Sequence, residues 1–120
     1  MARPYVPPLS RRYITVTIDD ISTAGQVYVA PGFTGRIVKA TSCIAGAIGT
    51  ADADLTLKIS GTAVTGGVIT VATASSAAGD VDECVPTALN EFGPADHIEV
   101  ETDGASSNTV PVTVVLELDA

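Results

Sequence analysis

The sequence predicts an all-β protein built as an antiparallel β-sandwich or barrel. Short segments alternate apolar with polar residues, which is typical of strands that bury one face. Turn residues separate these segments about every 8 to 12 positions, the spacing of small all-β domains. The sequence contains no amphipathic helical segment of about ten residues or more, the usual length of a globular helix.

The segment DADLTLKISGTAVTGGVITVA, residues 52–72, shows this pattern best and predicts a hairpin. Leu55, Leu57 and Ile59 alternate with Thr56 and Lys58, so one face of the first strand is apolar. Glycines at 61, 66 and 67 offer permissive backbone where the chain reverses. On the return strand, residues 69 and 71 fall on one side and residues 68, 70 and 72 on the other.

Upstream of this hairpin we expect an arm followed by three strands. Residues 1–12 contain prolines at positions 4, 7 and 8, which favour an extended, polyproline-like arm. The β-domain then spans residues 13–120, and its first strands are expected at 13–18, 26–30 and 35–44. In the third strand we expect four apolar positions: Ile37, Val38, Ala40 and Cys43.

Downstream, the pattern predicts a loop and three more strands. The run 73–79 is small and polar, 80–85 is a weak strand, and 87–96 has room for a helical turn that Gly93-Pro94 would end. Strand 97–102 points Ile98 and Val100 inward and Glu99 outward. After a turn at 103–108, strand 110–118 places alternate Val and Leu residues on one face.

Composition and charge exclude several classes of function. The chain has 46% hydrophobic and only 17% charged residues, against about 25% charged in average domains. Such a small, charge-poor domain is expected to cover part of its surface by self-association. A net charge of -8 argues against nucleic-acid binding, which needs a basic face. The cations are uneven: Arg3, Arg11 and Arg12 precede the first acid, Asp19.

The sequence contains no apolar run near the roughly 18 residues of a membrane span. Residues 1–13 also lack the apolar core of a signal peptide, so we expect synthesis in a cytoplasm. Two cysteines, Cys43 and Cys84, are too few for a disulfide scaffold. A bridge between them stays open, and both are expected to pack as small hydrophobic residues.

Sites with recognisable chemistry are scarce, and we predict no catalytic residue, no metal ligand and no cofactor. The single histidine, His97, has no G-x-S-x-G segment to accompany it. The acids at 52 and 54 and at 80, 82 and 83 suit calcium by residue type, but solvated turn residues are the simpler interpretation. With no Trp, three Tyr and two Phe, the chain offers few rings for stacking on a sugar.

Three stretches of the sequence carry a likeness to known proteins: IGTADADLTLKISGTAVTGGVITVA at 48–72, SSAAGDVDE at 75–83 and HIEVETDGASSNTVPVTVVLEL at 97–118. Through them the segment 48–118 resembles the head decoration (cement) proteins of tailed bacteriophages. It implies a jelly-roll-like sandwich that assembles as a homotrimer on the outer capsid and reinforces joints between capsomers. It also implies the major capsid protein as partner, a virion location and no enzymatic activity. The arm lies outside the resemblance.

Chemistry alone therefore suggests what the arm does. We expect a partner-binding set in its arginines and tyrosines: Arg3, Tyr5, Arg11, Arg12 and Tyr13. Arginines can grip carboxylates with two hydrogen bonds, and tyrosines add apolar area with a polar tip. The arm could contact the capsid, lie across a neighbouring subunit or stay loose. The alternative function is a tail-fibre or spike module that binds a host glycan.

Overall fold

The computed structural model describes residues 11–120, and within them the chain is all-β with no helix. Each strand follows a segment in which alternate side chains are apolar, so one face can be buried. The strands are β1 (Arg11–Ile18), β2 (Gly25–Val29), β3 (Gly35–Ile44), β4 (Ala53–Ile59), β5 (Thr62–Val71), β6 (Val81–Cys84), β7 (Glu91–Phe92), β8 (Ile98–Thr102) and β9 (Val112–Asp119).

Two antiparallel sheets pack face to face. Sheet 1 has the order β1-β9-β3-β6, and β7 pairs with β3 on the same side as β6. Sheet 2 has the order β2-β8-β4-β5. Because the strands pair antiparallel and the two sheets pack against each other, the predicted antiparallel β-sandwich is confirmed.

The core lies between the sheets and is made from the faces that alternation predicts. Leu55, Leu57, Ile98 and Val100 of sheet 2 have no exposed surface. Sheet 1 contributes the even-numbered residues of β9: Val112, Val114, Leu116 and Leu118, all at 0% exposure. Aliphatic side chains from both sheets therefore supply the hydrophobic stabilisation.

A β-bulge in β3 changes which residues of that strand face the core. Ile37 pairs with Leu118, but Lys39 pairs with Glu117, so one residue is inserted. Beyond the insertion the even positions point inward, and Ser42 and Ile44 are buried while Cys43 is exposed. The expectation that Cys43 packs as a core residue is wrong for this reason. Cys84 is buried, as expected.

Beyond shifts of one or two residues at other strand ends, three features differ from the sequence-based expectation. β1 begins at Arg11, two positions before the predicted start at residue 13. The Gly66-Gly67 pair lies inside β5 at a register shift, and the chain reverses at Ser60-Gly61 instead. The segment 87–96 contains no helix: a bridge between Thr65 and Ala88 and strand β7 hold its first part, and a tight turn at 93–96, in which the Asp96 amide donates to the Gly93 carbonyl, ends it.

Candidate partner-binding surface

The described part of the predicted partner-binding set lies on β1, at one edge of sheet 1. Arg11, Arg12 and Tyr13 are the first three residues of that strand. Arg3 and Tyr5 fall outside the described residues. Among residues 11–120, β1 pairs only with β9, so its other edge is open.

Arg11 is tied to the body of the domain. Its Nη1 atom donates to Oε2 of Glu117 at 2.9 Å, and both side chains are about one quarter exposed. Arg11 and Glu117 lie on the adjacent strands β1 and β9, on the outer face of sheet 1. The pairing orients Arg11 and leaves it only partly free for a partner.

Arg12 has the opposite phase and covers the end of the core. Its guanidinium carbon lies 4.7 Å from the centre of the Phe33 ring, a cation–π distance. Phe33 in turn meets Phe92 edge-to-face with ring centres 5.4 Å apart. Arg12 remains exposed and forms no ion pair among the described residues.

Tyr13 is largely accessible, with 62% of its surface exposed. It stands on the outer face of sheet 1, in register with Glu117. The same face carries β-branched residues toward the far end of β1 and β9: Thr15, Thr17, Thr113 and Val115. The tyrosine therefore stands between ion-paired residues at one end of this face and uncharged β-branched residues at the other.

Ion pairs gather in the half of the molecule where β1 begins. Besides Arg11–Glu117 they are Arg36–Asp119 at 3.4 Å, Lys39–Glu83 at 2.9 Å and Lys58–Glu101 at 3.0 Å. All Lys and Arg residues of the described chain lie in this half, which is consequently close to neutral.

The opposite end of the sandwich is acidic, and its carboxylates accept hydrogen bonds that stabilise the loops. Asp20 accepts hydrogen bonds from Ser22 and Thr23, and Asp52 accepts one from the Thr73 amide. Asp80 and Asp103 likewise accept hydrogen bonds from loop amides. In residues 11–120, no group of three His, Cys, Asp or Glu side chains is placed to hold a metal ion. These acids therefore act as turn-stabilising residues.

A cleft opens near the start of β1, between β3, β7 and the end of β9. It has a volume of about 560 Å³ and is lined in part by Arg36, Phe92, Asp96 and Asp119. A second hollow of about 680 Å³ adjoins it, sharing Arg36, Glu91 and Asp96 and reaching Leu89. Phe92 is almost fully buried at 3%, so it presents no free ring face for a sugar.

His97 contacts Glu99 and Tyr28 on the outer face of sheet 2. Its Nε2 atom lies 3.1 Å from Oε1 of Glu99, and its ring meets that of Tyr28 edge-to-face with 5.3 Å between centres. Glu99 is nearly buried, because Tyr28 and Lys58 lie beside it in register. None of these neighbours is a serine or cysteine nucleophile.

Sequence reasoning missed an exposed apolar group on the edge opposite β1. It comprises Val81, Val85 and Leu89, each about 60% exposed. Leu89 has a φ angle of 54°, an unusual conformation for a bulky side chain. Only a three-dimensional structure reveals it, because Pro86, Asn90 and Gly93-Pro94 mark a loop region without indicating that Leu89 itself takes this conformation and stands exposed.

No protein-family model matches this chain. A comparison with curated proteins also finds no match. Among the described residues, no helix is long and apolar enough to cross a membrane.

Proposed function

We propose that this protein is a structural component of a bacteriophage virion that decorates and reinforces the outer capsid surface as a homotrimer. The observation that carries the proposal is the division of the sandwich into an acidic loop end and a near-neutral end, with β1 starting at the latter. The resemblance over residues 48–118 supplies the class of protein.

The strand order supports jelly-roll wiring for this sandwich. Leaving out the two-residue β7, residues 11–120 form eight strands that pair first with last in succession: β1 with β9, β2 with β8, β3 with β6 and β4 with β5. A long hairpin wrapped around a barrel axis produces this order, and viral capsid and lectin domains use it. A double-sheet domain of this kind also suits a passive, load-sharing role.

Surface electrostatics favour one orientation on a capsid. The acidic loop end carries Asp19, Asp20, Asp52, Asp80 and Asp103 and would repel an acidic partner. The end where β1 begins has ion-paired carboxylates at Glu83, Glu117 and Asp119 and carries the uncompensated Arg12. We place the major capsid protein at this end, with Arg3, Tyr5, Arg11, Arg12 and Tyr13 as the contact set.

Removal of residues 2–10 tests the anchor without cutting into β1, which starts at Arg11. The anchor assignment predicts a folded protein that no longer binds purified, undecorated heads in a co-sedimentation assay. Unchanged binding of the truncated protein would contradict the assignment. Dissociation of the truncated protein into monomers would instead show that the segment joins neighbouring subunits.

A matched pair of substitutions tests whether head binding depends on the position of a cation or only on the net charge of the protein. Arg3→Gln and Lys58→Gln each remove one cation, but Lys58 lies on sheet 2 beside Glu101. We expect Arg3→Gln to weaken head binding about tenfold, equivalent to one charge-assisted contact, and Lys58→Gln to leave it unchanged. Equal losses would contradict a specific anchor.

The copy number on the particle distinguishes the proposal from the glycan-binding alternative. A decoration protein occurs in many copies over the head, whereas a fibre or spike module occurs in a few copies at the tail. Quantitative gel analysis of purified virions measures this directly. A small copy number together with binding to host polysaccharide would replace the present proposal.

A further inference from the structure

From the two edges of sheet 1, we infer that neighbouring copies of this chain join head to tail, with the β1 edge of one copy against the β6–β7 edge of the next. The β1 edge comprises Arg12, Tyr13, Thr15 and Thr17, and the β6–β7 edge comprises Val81, Val85, Leu89 and Glu91. This inference rests on the proposed trimer and names the surfaces that form it.

The first argument is the open edge of β1. Eight residues from Arg11 to Ile18 pair with β9 on one side and with no other described strand. The strand contains no proline, and its charges stand only at its start. Exposed edges of this length invite pairing or association unless they are covered. A covering surface is therefore expected.

The second argument is the apolar display on the opposite edge of the same sheet. Val81, Val85 and Leu89 are exposed to 60%, 58% and 63%. The segment that carries Leu89 is held firmly: Thr65 exchanges two 2.9 Å hydrogen bonds with the backbone of Thr87 and Ala88. Asn90 exchanges two further hydrogen bonds with Ile37, at 2.8 and 2.7 Å.

A strained, bulky and solvent-exposed residue on a fixed segment is a candidate binding residue. The left-handed conformation of Leu89 is unfavourable by itself and persists because the bonds on either side hold it. Its apolar side chain is exposed to water and therefore contributes no hydrophobic stabilisation. A partner that covers Leu89 would supply the missing burial.

The third argument is that the two edges match in height and in charge. Arg12 lies in the row of Leu118 and Ile37, and Glu91 lies in the neighbouring row, paired with Arg36 of β3. A copy placed beside the first along the sheet therefore brings Arg12 to nearly the height of Glu91, although the two side chains leave opposite faces of sheet 1 and would meet around its edge. Tyr13, one residue further along β1, comes near Leu89, while Thr15 comes level with Glu83 and Thr17 with Val81.

Such a contact is heterologous, because it joins two different surfaces of the same chain. Repeated with a rotation of about 120° between copies, it closes into the proposed trimer; without rotation it would continue as a filament. The assignment directs Arg12 and Tyr13 to the neighbouring copy. The capsid anchor then depends chiefly on the residues that precede them.

Complementation between two variants tests the contact. Tyr13→Asp damages the β1 edge and Leu89→Asp damages the β6–β7 edge, so each variant alone should sediment as a monomer. An equimolar mixture retains one intact pair of edges and should sediment as a dimer. Ala74→Asp adds the same charge in an exposed loop outside both edges and should sediment like the unmodified protein.

The outcomes separate this inference from the proposed function. Either variant remaining trimeric, or a mixture that stays monomeric, would overturn the head-to-tail contact. An unmodified protein that is monomeric at about 100 μM yet still binds heads would overturn the contact and leave decoration standing. A mass that keeps growing with concentration would support the contact but contradict the closed trimer.

A charge-reversal experiment distinguishes a lost contact from a misfolded variant. Arg12→Glu and Glu91→Arg should each weaken association, and the double variant should restore it, because the pair is re-formed with reversed sign. Thermal unfolding of each variant confirms that the domain is folded. Additive losses without restoration in the double variant would show that Arg12 and Glu91 do not meet.

Discussion

At the scale of single residues, the face on which a side chain stands decides its role. Glu99 and Glu101 occupy the same strand and the same face, yet Glu99 is enclosed by Tyr28 and His97 while Glu101 reaches Lys58 near the surface. Ser106 has no such neighbour: its buried hydroxyl lacks a hydrogen-bond partner in the described structure. The neighbouring side chains, and not the residue type, therefore decide how exposed and how well paired each polar group is.

Leu57 is a direct test of the core. It has no exposed surface and lies at the centre of sheet 2. Leu57→Ala should destabilise the domain by about 2–5 kcal/mol, the range for a buried Leu-to-Ala change. Thr109→Ala, in an exposed loop outside the proposed contact edges, should change stability by less than about 0.5 kcal/mol. Denaturant unfolding measures both, and equal effects would contradict the assigned burial.

The two cysteines should differ sharply in reactivity. They are free thiols on opposite faces of sheet 1, so the structure contains no bridge between them. Burial raises the pKa of Cys84 to about 11, which disfavours the reactive thiolate. Mass spectrometry after maleimide treatment at pH 8 should show rapid labelling of Cys43 and slow labelling of Cys84. Equal rates would contradict the burial of Cys84.

Asp20 should make the domain sensitive to acid. The hydroxyls of Ser22 and Thr23 lower the pKa of this carboxyl below 3.8. Because the folded pKa is the lower one, the contribution to stability is present above pH 3.8 and is lost as pH falls through the folded value. Asp20→Asn should flatten the stability profile below about pH 4. An unchanged slope in acid unfolding would contradict this.

At the scale of elements, insertions shape both sheets. The bulge between Ile37 and Lys39 reverses which side chains of β3 face the core. The register shift opposite Thr56 and Lys58 accommodates the extra residues of β5. Each insertion bends its strand and increases the local twist. The bulge in β3 leaves its first residues beside β7 and its last residues beside β6.

Two turn glycines should respond differently to the same substitution. Gly61 and Gly104 have φ angles of 87° and 68°, so alanine is strained at either position. A Cβ atom at Gly61 would meet nothing within 4 Å, whereas at Gly104 it would lie 2.5 Å from the Ala24 nitrogen.

Gly104→Ala should therefore destabilise the domain more than Gly61→Ala, for which we expect about 1–2 kcal/mol. Thermal or denaturant unfolding compares the two variants under the same conditions. The two turns tolerating alanine equally well would contradict the close packing of Gly104 against the chain at Ala24.

At the scale of the whole molecule, charge is separated along the sandwich. The loops between strands at one end hold carboxylates, and the described lysines and arginines lie in the other half. Orientation on a partner should depend on this separation more than on any single ion pair, because exposed pairs contribute little each.

Head binding should therefore weaken as salt rises. Long-range attraction and repulsion between exposed charges are screened within about 8 Å at physiological ionic strength. We expect co-sedimentation with undecorated heads to decline between low and moderate salt, and association between copies, which is largely apolar, to decline less. Salt-independent head binding would contradict an anchor based on arginine contacts.

The sequence by itself determined the strands and most of the core. Alternation in β4, β8 and β9 predicts the residues that are buried, because the side-chain period of a strand is two and only one face meets the other sheet. The low charge content and the position of the early arginines were equally visible. These properties depend on local pattern, which a linear sequence records directly.

Only the tertiary structure showed the bulge in β3, the order of strands in each sheet and which side chains are exposed together at the surface. Cys43 is exposed because an inserted residue in β3 reverses the alternation, and the pairing with β9 that requires the insertion comes from about 80 positions away. The height match between Arg12 and Glu91 depends on three strand pairings, β1 with β9, β9 with β3 and β3 with β7. Leu89 stands exposed because distant hydrogen bonds hold its segment in place, and no local pattern encodes contacts between distant parts of the chain.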